Sequence, residues 1–379
     1  MQAGEQNISQ TAHRLSRRAR TMEAQRFARA ERLREEGAFA AADTLYRQIL
    51  DRNPVHLAAL RGRARTAAAL GAVAEARSVT GHADDREATD LCAVADQCYG
   101  RSLYEQALEC YEKAVKLAPG RSDAVWGLAE CHAAQDDNDQ AIIWYRRYLE
   151  LEPDEPEALH MLAALGDRPP PRRAGDDYVA GLFDRFAGEF DEQLVKELHY
   201  QVPQLLFAAL EPIIGEASGD LAVLDLGCGT GLSGQLLRHH ASRLDGVDLS
   251  GGMLREARAR GVYDTLTESE ITGHLTHSDI HYDVVTAGDV LGYFGALSAV
   301  FRGVARIMGE GSLFAFSVEA HEGRGYRLTE SGRYVHSRRY IQLLTGAAGL
   351  RAVSLTDETL RHEYGEPVTG DIWVLEKPV

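Results

Sequence analysis

The sequence predicts two folds in series, an all-α region of helical repeats followed by an α/β domain built around a parallel sheet. Two observations lead to this prediction. Before residue 155, a spaced pattern of alanine, tyrosine and proline occurs three times. From residue 221 onward, apolar runs of strand length alternate with helical patterns, which is typical of a parallel sheet. A length of 379 residues exceeds a typical single core and is consistent with two domains.

The N-terminal pattern has a constant internal spacing. In each copy a tyrosine follows an alanine by four residues and a proline follows the tyrosine by eight, in the sets Ala42, Tyr46 and Pro54; Ala107, Tyr111 and Pro119; and Ala141, Tyr145 and Pro153. The last two copies lie 34 residues apart. The pattern resembles the tetratricopeptide repeat, in which the small residue lets two antiparallel helices approach, the aromatic fills their groove and the proline ends the second helix.

A degenerate copy lies between the first two regular ones. Gly71 and Ala76 stand at the expected places, but residue 80 is not aromatic and no proline stands eight residues later. We therefore expect the second helix of this copy to be short or distorted around Thr80-Gly81-His82. The apolar positions from Pro156 to Leu165 predict a lone capping helix after the last copy.

These observations predict four segments. Residues 1–22 form an N-terminal tail or first helix, and residues 23–166 form three to four repeats plus the cap. Residues 167–176 contain three consecutive prolines beside arginines and predict a semi-rigid linker, so that residues 177–379 form the second domain. The resemblance to tetratricopeptide arrays implies a superhelix whose concave face binds a protein or peptide partner, or self-association into a homo-oligomer.

A glycine-rich loop opens the second domain. An apolar run ends in Asp225 and leads into Gly227, Gly229 and Gly231, and the next apolar run ends on Asp248. Glycine permits tight turns and the close approach of a ligand to the backbone. A carboxylate at the tip of the next strand can accept the hydroxyls of a ribose. The segment therefore predicts a site for a cofactor that contains adenosine.

The loop is compatible with two cofactor classes. Gly229 to Gly234 matches G-x-G-x-x-G, which occurs in NAD and FAD sites. However, Asp225 precedes the loop and would repel a pyrophosphate at the following helix N-terminus. An acid at this place instead suits a cofactor with a cationic amino-acid end, and an NAD-binding oxidoreductase is the lesser alternative.

Two segments resemble the first two motifs of class I S-adenosylmethionine-dependent methyltransferases. They are Asp225 with the three glycines that follow it, and Gly246–Ser250. The resemblance continues at His281–Leu291, which is similar to the fourth strand and its tip, and at Gly309–Val318, which is similar to the turn into the fifth strand. It implies a Rossmann-like seven-stranded domain, with the glycine loop on the methionine part of the cofactor and Asp248 on the ribose.

The segment Tyr178–Asp191 resembles the N-terminal helical lid of methyltransferases related to the ubiquinone and biotin biosynthesis enzymes. Phe183, Phe186 and Phe190 recur at intervals of three and four, so we expect them to form one stripe of a helix. The functional interpretation is a lid that excludes water from the cofactor or substrate, and the alternative is simple packing in a helix core.

The apolar pattern predicts seven strands, at Leu221–Leu226, Leu244–Leu249, Val262–Leu266, Tyr282–Ala287, Ser312–Val318, Ala352–Leu355 and Ile372–Leu375. The resemblance implies that the last one is antiparallel, which suits the short connection before it. Helical patterns fall between them at Gly231–Ser242, Gly252–Arg260, Ala296–Met308 and Ser337–Ala348. This alternation is the basis for the predicted parallel sheet.

The resemblance assigns candidate site residues. For the cofactor they are Asp225, Gly227, Cys228, Gly229, Gly231, Asp248, Leu249, Met253, Glu270 and Asp289. Met253 is expected near the ribose or adenine, and Glu270 near the adenine amino group. Asp289 follows the fourth strand, where the family places groups that face the substrate, and is the first catalytic candidate. Tyr334 and His336 are further catalytic candidates, since a neutral histidine can act as a base near pH 7.

Composition limits the remaining classes. The net charge of −16 disfavours nucleic acid as a partner, and the basic run Arg14, Arg17, Arg18 and Arg20 is interpreted as a solvated terminus. No apolar run is long enough to cross a membrane. The five cysteines show no zinc-like spacing, and one His-rich loop (274–281) lacks a second cluster, so we expect no metal and a cytoplasmic protein with reduced thiols.

The sequence thus predicts an S-adenosylmethionine-dependent methyltransferase that acts on an oxygen or nitrogen atom of a protein, peptide or small molecule. The repeats would dock the acceptor or a partner. The alternative is a non-catalytic scaffold that keeps the fold but not the transfer reaction.

Overall fold

The computed structural model describes residues 20–188, 190–192, 199–363 and 366–379. Arg14, Arg17, Arg18 and most of the predicted tail at 1–22 lie outside these residues. The chain divides into two units, Met1–Pro153 and Asp154–Val379.

The first unit is all-α. Its helices are α1 (20–35), α2 (Phe39–Leu50), α3 (Leu57–Ala69), α4 (Val73–Tyr99), α5 (Tyr104–Leu117), α6 (Ser122–Ala133) and α7 (Asn138–Leu151). From α2 onward, each helix packs on the next one along the chain. The alanines of the three regular copies, Ala42, Ala107 and Ala141, are fully buried between helices. The repeat pattern therefore predicted a helical array correctly.

Tyrosine packing against glycine explains the close helix pairs. Tyr46 of α2 lies against Gly62 of α3, and Tyr111 of α5 lies against Gly127 of α6. A Cβ atom at either glycine would overlap the tyrosine ring, so the ring needs the space that glycine leaves.

One prediction about this unit is wrong. The helix of the degenerate copy is neither short nor distorted around Thr80-Gly81-His82, because α4 continues without a break from Val73 to Tyr99. Ala88 stands where the regular copies have proline, and Gly81 keeps a helical backbone. Without a proline to end it, the second helix of this copy merges with the first helix of the next.

Among the described residues, the second unit begins with the helices α8 (Pro156–Ala164), α9 (Asp176–Phe186), the single turn α10 (Phe190–Glu192) and α11 (Val202–Ile214). The capping helix predicted at Pro156–Leu165 forms, but the division between the units falls before it. It packs on α9, and Arg185 of α9 pairs with its Glu157 at 2.6 Å.

A seven-stranded sheet forms the centre of the second unit. Its strands are β1 (Leu221–Leu226), β2 (Ala241–Asp248), β3 (Thr265–Glu268), β4 (Tyr282–Ala287), β5 (Met308–Glu319), β8 (Arg351–Glu363) and β9 (Glu366–Glu376). Their order is β3-β2-β1-β4-β5-β9-β8. The first five are parallel, and β9 runs antiparallel between β5 and β8. The sheet and its antiparallel last strand confirm the predicted fold class.

The boundaries differ from the predicted ones at both ends of the sheet. The strands β8 and β9 are longer than the apolar runs that predicted them, because their outer halves carry polar residues. The helix after the glycine loop, α12 (Leu232–Leu237), is shorter than predicted, since β2 already begins at Ala241. A short hairpin of β6 (Tyr326–Leu328) and β7 (Tyr334–His336) has no counterpart in the prediction.

Helices cover both faces of the sheet. The remaining ones are α13 (Gly251–Arg260), α14 (Ile271–His277), α15 (Ser298–Ile307) and α16 (Arg338–Ala347). One apolar layer includes α15 with Phe314 and Phe316 of β5, and the other includes α11 with Val223 of β1. Among the described helices, none has the length and apolar character needed to cross a membrane.

Candidate cofactor site

A cavity opens at the carboxyl ends of four adjacent parallel strands, β3, β2, β1 and β4. It contains about 960 Å³ of empty space, including its open mouth. Its wall includes the residue that follows each of these strands, namely Gly227 after β1, Leu249 after β2, Ser269 after β3 and Gly288 after β4. Open α/β sheets bind their ligands at this edge, close to the point where the strand order reverses.

The glycine loop is held in a backbone conformation that favours glycine. Gly227, Gly229 and Gly231 have φ angles of 66°, 53° and 95°. A Cβ atom at Gly227 would overlap Val290, which lines the same cavity. The amides of Gly227 and Cys228 donate to the carbonyl of Val247 at 2.8 and 3.0 Å, which fixes the loop to β2. Gly227, Cys228 and Gly229 line the cavity, as the sequence predicts.

Asp248 lies at the tip of β2 in the cavity wall. Its Oδ2 accepts from the amide of Gly229 at 2.8 Å, and its Oδ1 accepts from the amide of Ser250 at 2.9 Å. Burial raises the pKa of this carboxyl. Each oxygen retains a second lone pair, so the carboxylate can still accept hydrogen bonds from a ligand.

Two further candidates, Asp225 and Gly231, are not part of the cavity wall. Asp225 is 1% exposed, and its two oxygens accept from the hydroxyls of Tyr263 at 2.7 Å and Thr286 at 2.8 Å. Burial raises its pKa to about 6. Gly231 leaves room for the ring of Tyr263. Tyr263 therefore connects Asp225 with Gly231 of the loop, and sequence reasoning missed this tyrosine.

The predicted adenine side is assembled from three candidates. Leu249 and the buried Met253 line the cavity beside Asp248. Glu270 also lines it, but its carboxylate serves as the N-cap of α14, accepting from the amides of Thr272 and Gly273 at 2.9 and 2.8 Å.

Asp289 also lies in the cavity wall, two residues after the end of β4. Its φ of 56° is unusual for a residue other than glycine, and its amide donates to Ser317 Oγ at 2.8 Å. Its Oδ1 accepts from Arg333 and, at 3.3 Å, from Arg361. Among the described residues, Oδ2 receives no hydrogen bond and is free for a ligand.

Two arginines behind Asp289 also hold Glu319. Arg333 donates to this carboxylate at 2.6 Å and Arg361 at 2.7 Å. Although burial opposes it, the two guanidinium groups hold the pKa of Glu319 below its usual range. Sequence reasoning missed both arginines, since Arg333 lies in the turn between β6 and β7 and Arg361 lies in the polar half of β8, where no local pattern indicates a site.

Tyr334 and His336 do not join Asp289 in the cavity wall. Both lie in β7 and are fully buried. The Tyr334 hydroxyl donates to the carbonyl of Pro171 at 2.6 Å, and His336 Nε2 lies 2.8 Å from the carbonyl of Phe294. Burial lowers the pKa of His336 to about 4. The histidine is therefore neutral at pH 7, but its hydrogen bonds are structural.

The aromatic segment covers one side of the cavity. Phe183 and Phe190 line it, with ring centroids 5.8 Å apart, and Phe183 also contacts Tyr293 at 5.5 Å. The single stripe expected from three phenylalanines is wrong, because α9 ends at Phe186, which is 43% exposed. Phe190 belongs to the next helical turn.

Two aspartates attach this segment to the cofactor elements. Asp184 accepts from Ser250 Oγ at 2.5 Å and from the amide of Gly252 at 2.8 Å. Asp191 accepts from Thr230 Oγ1 at 2.5 Å, within the glycine loop. Each aspartate directly follows a phenylalanine of the wall. This repeated Phe-Asp pair was the signal in the sequence that could have identified them.

The charge of the wall favours a cationic ligand. Among its described residues, four are carboxylates and one is an arginine, namely Asp176, Asp248, Glu270, Asp289 and Arg173. Arg173 pairs with Asp176. Such a wall disfavours the two phosphates of a dinucleotide. Within the part of the chain that the structure describes, no group of three His, Cys, Asp or Glu residues is arranged to hold a metal ion.

Comparison with known proteins finds a family match in each half of the chain. The family described as Tetratricopeptide repeat matches residues 27–79 and 99–156, and the family described as Methyltransferase domain matches residues 224–316. The chain is 28% identical over 174 residues to malonyl-[acyl-carrier protein] O-methyltransferase of Yersinia pestis, a match that covers 45% of this chain and 61% of the relative.

A second relative is the ubiquinone biosynthesis O-methyltransferase of Klebsiella pneumoniae subsp. pneumoniae, 26% identical over 126 residues, or 31% of this chain and 52% of the relative. The chain thus spans only about half to three fifths of the length of these two relatives. Among solved structures, the magnesium protoporphyrin IX methyltransferase from Synechocystis PCC 6803 with bound SAH aligns with a TM-score of 0.42 and 18% identity, over 53% of this chain and 99% of that one.

The chain therefore carries an N-terminal region that matches the tetratricopeptide repeat family and a C-terminal region that matches the methyltransferase domain family.

Proposed function

We propose that this protein transfers a methyl group from S-adenosylmethionine to an oxygen or nitrogen atom of an acceptor bound beside the glycine loop. The observation that carries the proposal is a single cavity whose wall includes the positive-φ glycine loop and Asp248. Its four carboxylates suit a sulfonium cofactor and disfavour the dinucleotide alternative.

The cofactor supplies an activated methyl group, so the protein has to bind and orient it. Asp248 is the residue that would accept the ribose hydroxyls, and the backbone of Gly227 to Gly229 would lie against the methionine part. Leu249 and Met253 would flank the adenosine. The ammonium group needs a carboxylate in the wall, and Asp289 lies there with an Oδ2 that accepts from no described residue, whereas Asp225 is 1% exposed and does not line the cavity.

The acceptor side of the cavity is mainly apolar. The side chains that line it would exclude water from the reacting atoms. They are Val179, Phe183, Phe190, Tyr293 and Phe294. No histidine or lysine occurs among the described residues of the wall. The chemistry therefore fits an acceptor whose nucleophilic atom does not have to lose a proton before it attacks. Positioning and desolvation would then provide most of the acceleration. The relatives are named O-methyltransferases, which favours an oxygen acceptor.

We further propose that the repeats dock the acceptor protein or a partner on their concave face, or a second copy of the chain. Tetratricopeptide arrays bury a core between stacked repeats and present an extended surface for such contacts. All five cysteines are free thiols, which supports a cytoplasmic location.

The test is transfer of a labelled methyl group from S-adenosylmethionine by the full chain into a lysate of the source organism. The proposal expects labelled product that is lost in Asp248→Asn. Label in macromolecules supports a protein acceptor, and label in small metabolites supports the other acceptor class. If calorimetry shows cofactor binding but no label appears in any fraction, the protein is a non-catalytic scaffold and the proposal is wrong.

A further inference from the structure

We propose that the degenerate repeat forms a docking cleft for an acidic peptide segment of a protein partner, between α3 and α4. The inference rests on the proposed docking role of the repeats, and it adds the place and the chemistry of that docking. It follows from what occupies the same position in the three regular copies.

In each regular copy, a buried tyrosine donates its hydroxyl to an acidic side chain that stands 15 residues earlier. The pairs are Tyr46 with Glu31, Tyr111 with Asp96 at 2.5 Å, and Tyr145 with Glu130. All three tyrosines are 4% exposed or less. The aromatic ring thus closes the groove between two helices, and the acid satisfies its hydroxyl inside the array.

The degenerate copy has replaced both members of this pair. Thr80 stands 34 residues after Tyr46, at the position of the tyrosine, and Arg65 stands 15 residues before Thr80, at the position of the acid. An open cleft remains where the ring would lie. Its wall consists of Arg61, Ala64, Arg65, Ala68, Val73, Ala76, Arg77 and Thr80.

The charge of the cleft is the opposite of the chain's net charge of −16. Arg61 is neutralised by Asp84 at 2.6 Å and by Glu87 at 2.7 Å. In contrast, Arg65 and Arg77 are exposed, and neither forms an ion pair with any described residue. Arg65 interacts electrostatically with Glu31, but the carboxylate of Glu31 is already bound to Tyr46 and Arg34.

The cleft also has an apolar component. Ala64, Ala68 and Ala76 leave room at the place of the missing ring, and Val73 at the edge is 63% exposed. A partner that complements both features carries acidic residues around one bulky apolar side chain. The acidic residues meet Arg65 and Arg77, which improves the encounter rate and specificity, and the apolar side chain fills the cleft.

The test uses the full chain and a fluorescein-labelled peptide with one phenylalanine between two pairs of glutamates. Fluorescence anisotropy at low salt should show binding that is roughly tenfold tighter than for a peptide with lysines in place of the glutamates. The double charge reversal Arg65→Glu with Arg77→Glu should weaken binding by roughly tenfold or more. The matched control, Lys113→Glu with Lys116→Glu on α5, changes the net charge equally and should leave affinity unchanged.

A second variant tests the cleft itself. Thr80→Tyr combined with Arg65→Glu restores the pair found in the regular copies. It should abolish peptide binding while raising the melting temperature by a few degrees, because the ring fills the groove. Equal binding of acidic and basic peptides, equal losses in the control variant, or full binding by the filled variant would each overturn the proposal. Calorimetry with S-adenosylmethionine on the same proteins should show no change, so a failure here is separate from a failure of the methyltransferase proposal.

Discussion

Asp248 is the proposed acceptor of the ribose hydroxyls. It lies in the cavity wall with both oxygens oriented by backbone amides, so a mutation would remove a preorganised acceptor. We expect Asp248→Ala to weaken binding of S-adenosylmethionine by roughly 1–3 kcal/mol, the typical loss for a charge-assisted hydrogen bond. Isothermal titration calorimetry measures this. Asp279→Ala, at an exposed carboxylate, is the control, and equal losses in both variants would contradict the ribose assignment.

The raised pKa of Asp225 predicts that the stability of the protein depends on pH. Its pKa in the folded state is raised by burial to about 6, above the usual 3.8, so the native state holds a proton more tightly than the unfolded state. The resulting stabilisation is fully present below pH 3.8 and is lost as the pH rises through about 6. Asp225→Asn, which stays neutral, should therefore become more stable relative to the wild type across this window.

The measurement is the free energy of unfolding in urea at several pH values between 4 and 7. The difference between Asp225→Asn and the wild type isolates this one carboxyl, since other carboxyls titrate in both proteins. A constant difference across the window would show that Asp225 does not titrate as proposed.

At the scale of secondary-structure elements, the hairpin β6–β7 and the strand β8 are joined to the cavity wall by Arg333 and Arg361. Arg361 is 3% exposed and pairs with Asp289 and Glu319. We expect Arg361→Met to destabilise the protein by roughly 3 kcal/mol, because the buried carboxylates of Asp289 and Glu319 then keep only Arg333 as a charged partner. Urea unfolding tests this. Arg351→Met, on the same strand with an exposed ion pair to Glu376, should cost less than about 1 kcal/mol.

The helix α9 is joined to the cofactor elements by Asp184. Its carboxylate accepts from Ser250 and Gly252 at the start of α13. Removing it in Asp184→Ala should loosen the cover over the cavity and speed dissociation of S-adenosylmethionine by roughly tenfold, as expected for the loss of hydrogen bonds to a charged group. Stopped-flow fluorescence measures this rate. Asp177→Ala, at an exposed position of the same helix, should leave the rate unchanged.

Elements with a strong local pattern were predictable. The strands at Leu221–Leu226 and Tyr282–Ala287 have the predicted bounds, because apolar residues there are continuous and the sheet buries both faces. The hairpin β6–β7 was not predicted, since its strands are three residues long and depend on packing against β5 and the turn at Leu291–Tyr293. The continuity of α4 depends on the absence of a proline, which the sequence shows, but this absence alone does not exclude a break at Thr80-Gly81-His82.

At the scale of the whole molecule, the proposed site in each unit lies where that unit departs from its regular pattern. In the repeats it is the copy with Thr80 and Arg65, and in the methyltransferase domain it is the cavity wall with the strained Asp289. Local departures from an otherwise consistent pattern are expected at functional sites. Both proposals made for this protein concern these two places, one in each unit.

The sequence by itself determined the order of the two folds, the repeat spacing, the glycine loop and Asp248, because each depends on residues close together in the chain. Only the tertiary structure decided which carboxylate faces the cavity. Asp225 is bound by hydroxyls of Tyr263 and Thr286, 38 and 61 residues away. Asp289 is held by Arg333 and Arg361, 44 and 72 residues away. Contacts over such distances are set by how the elements pack, and no local pattern of residues encodes them.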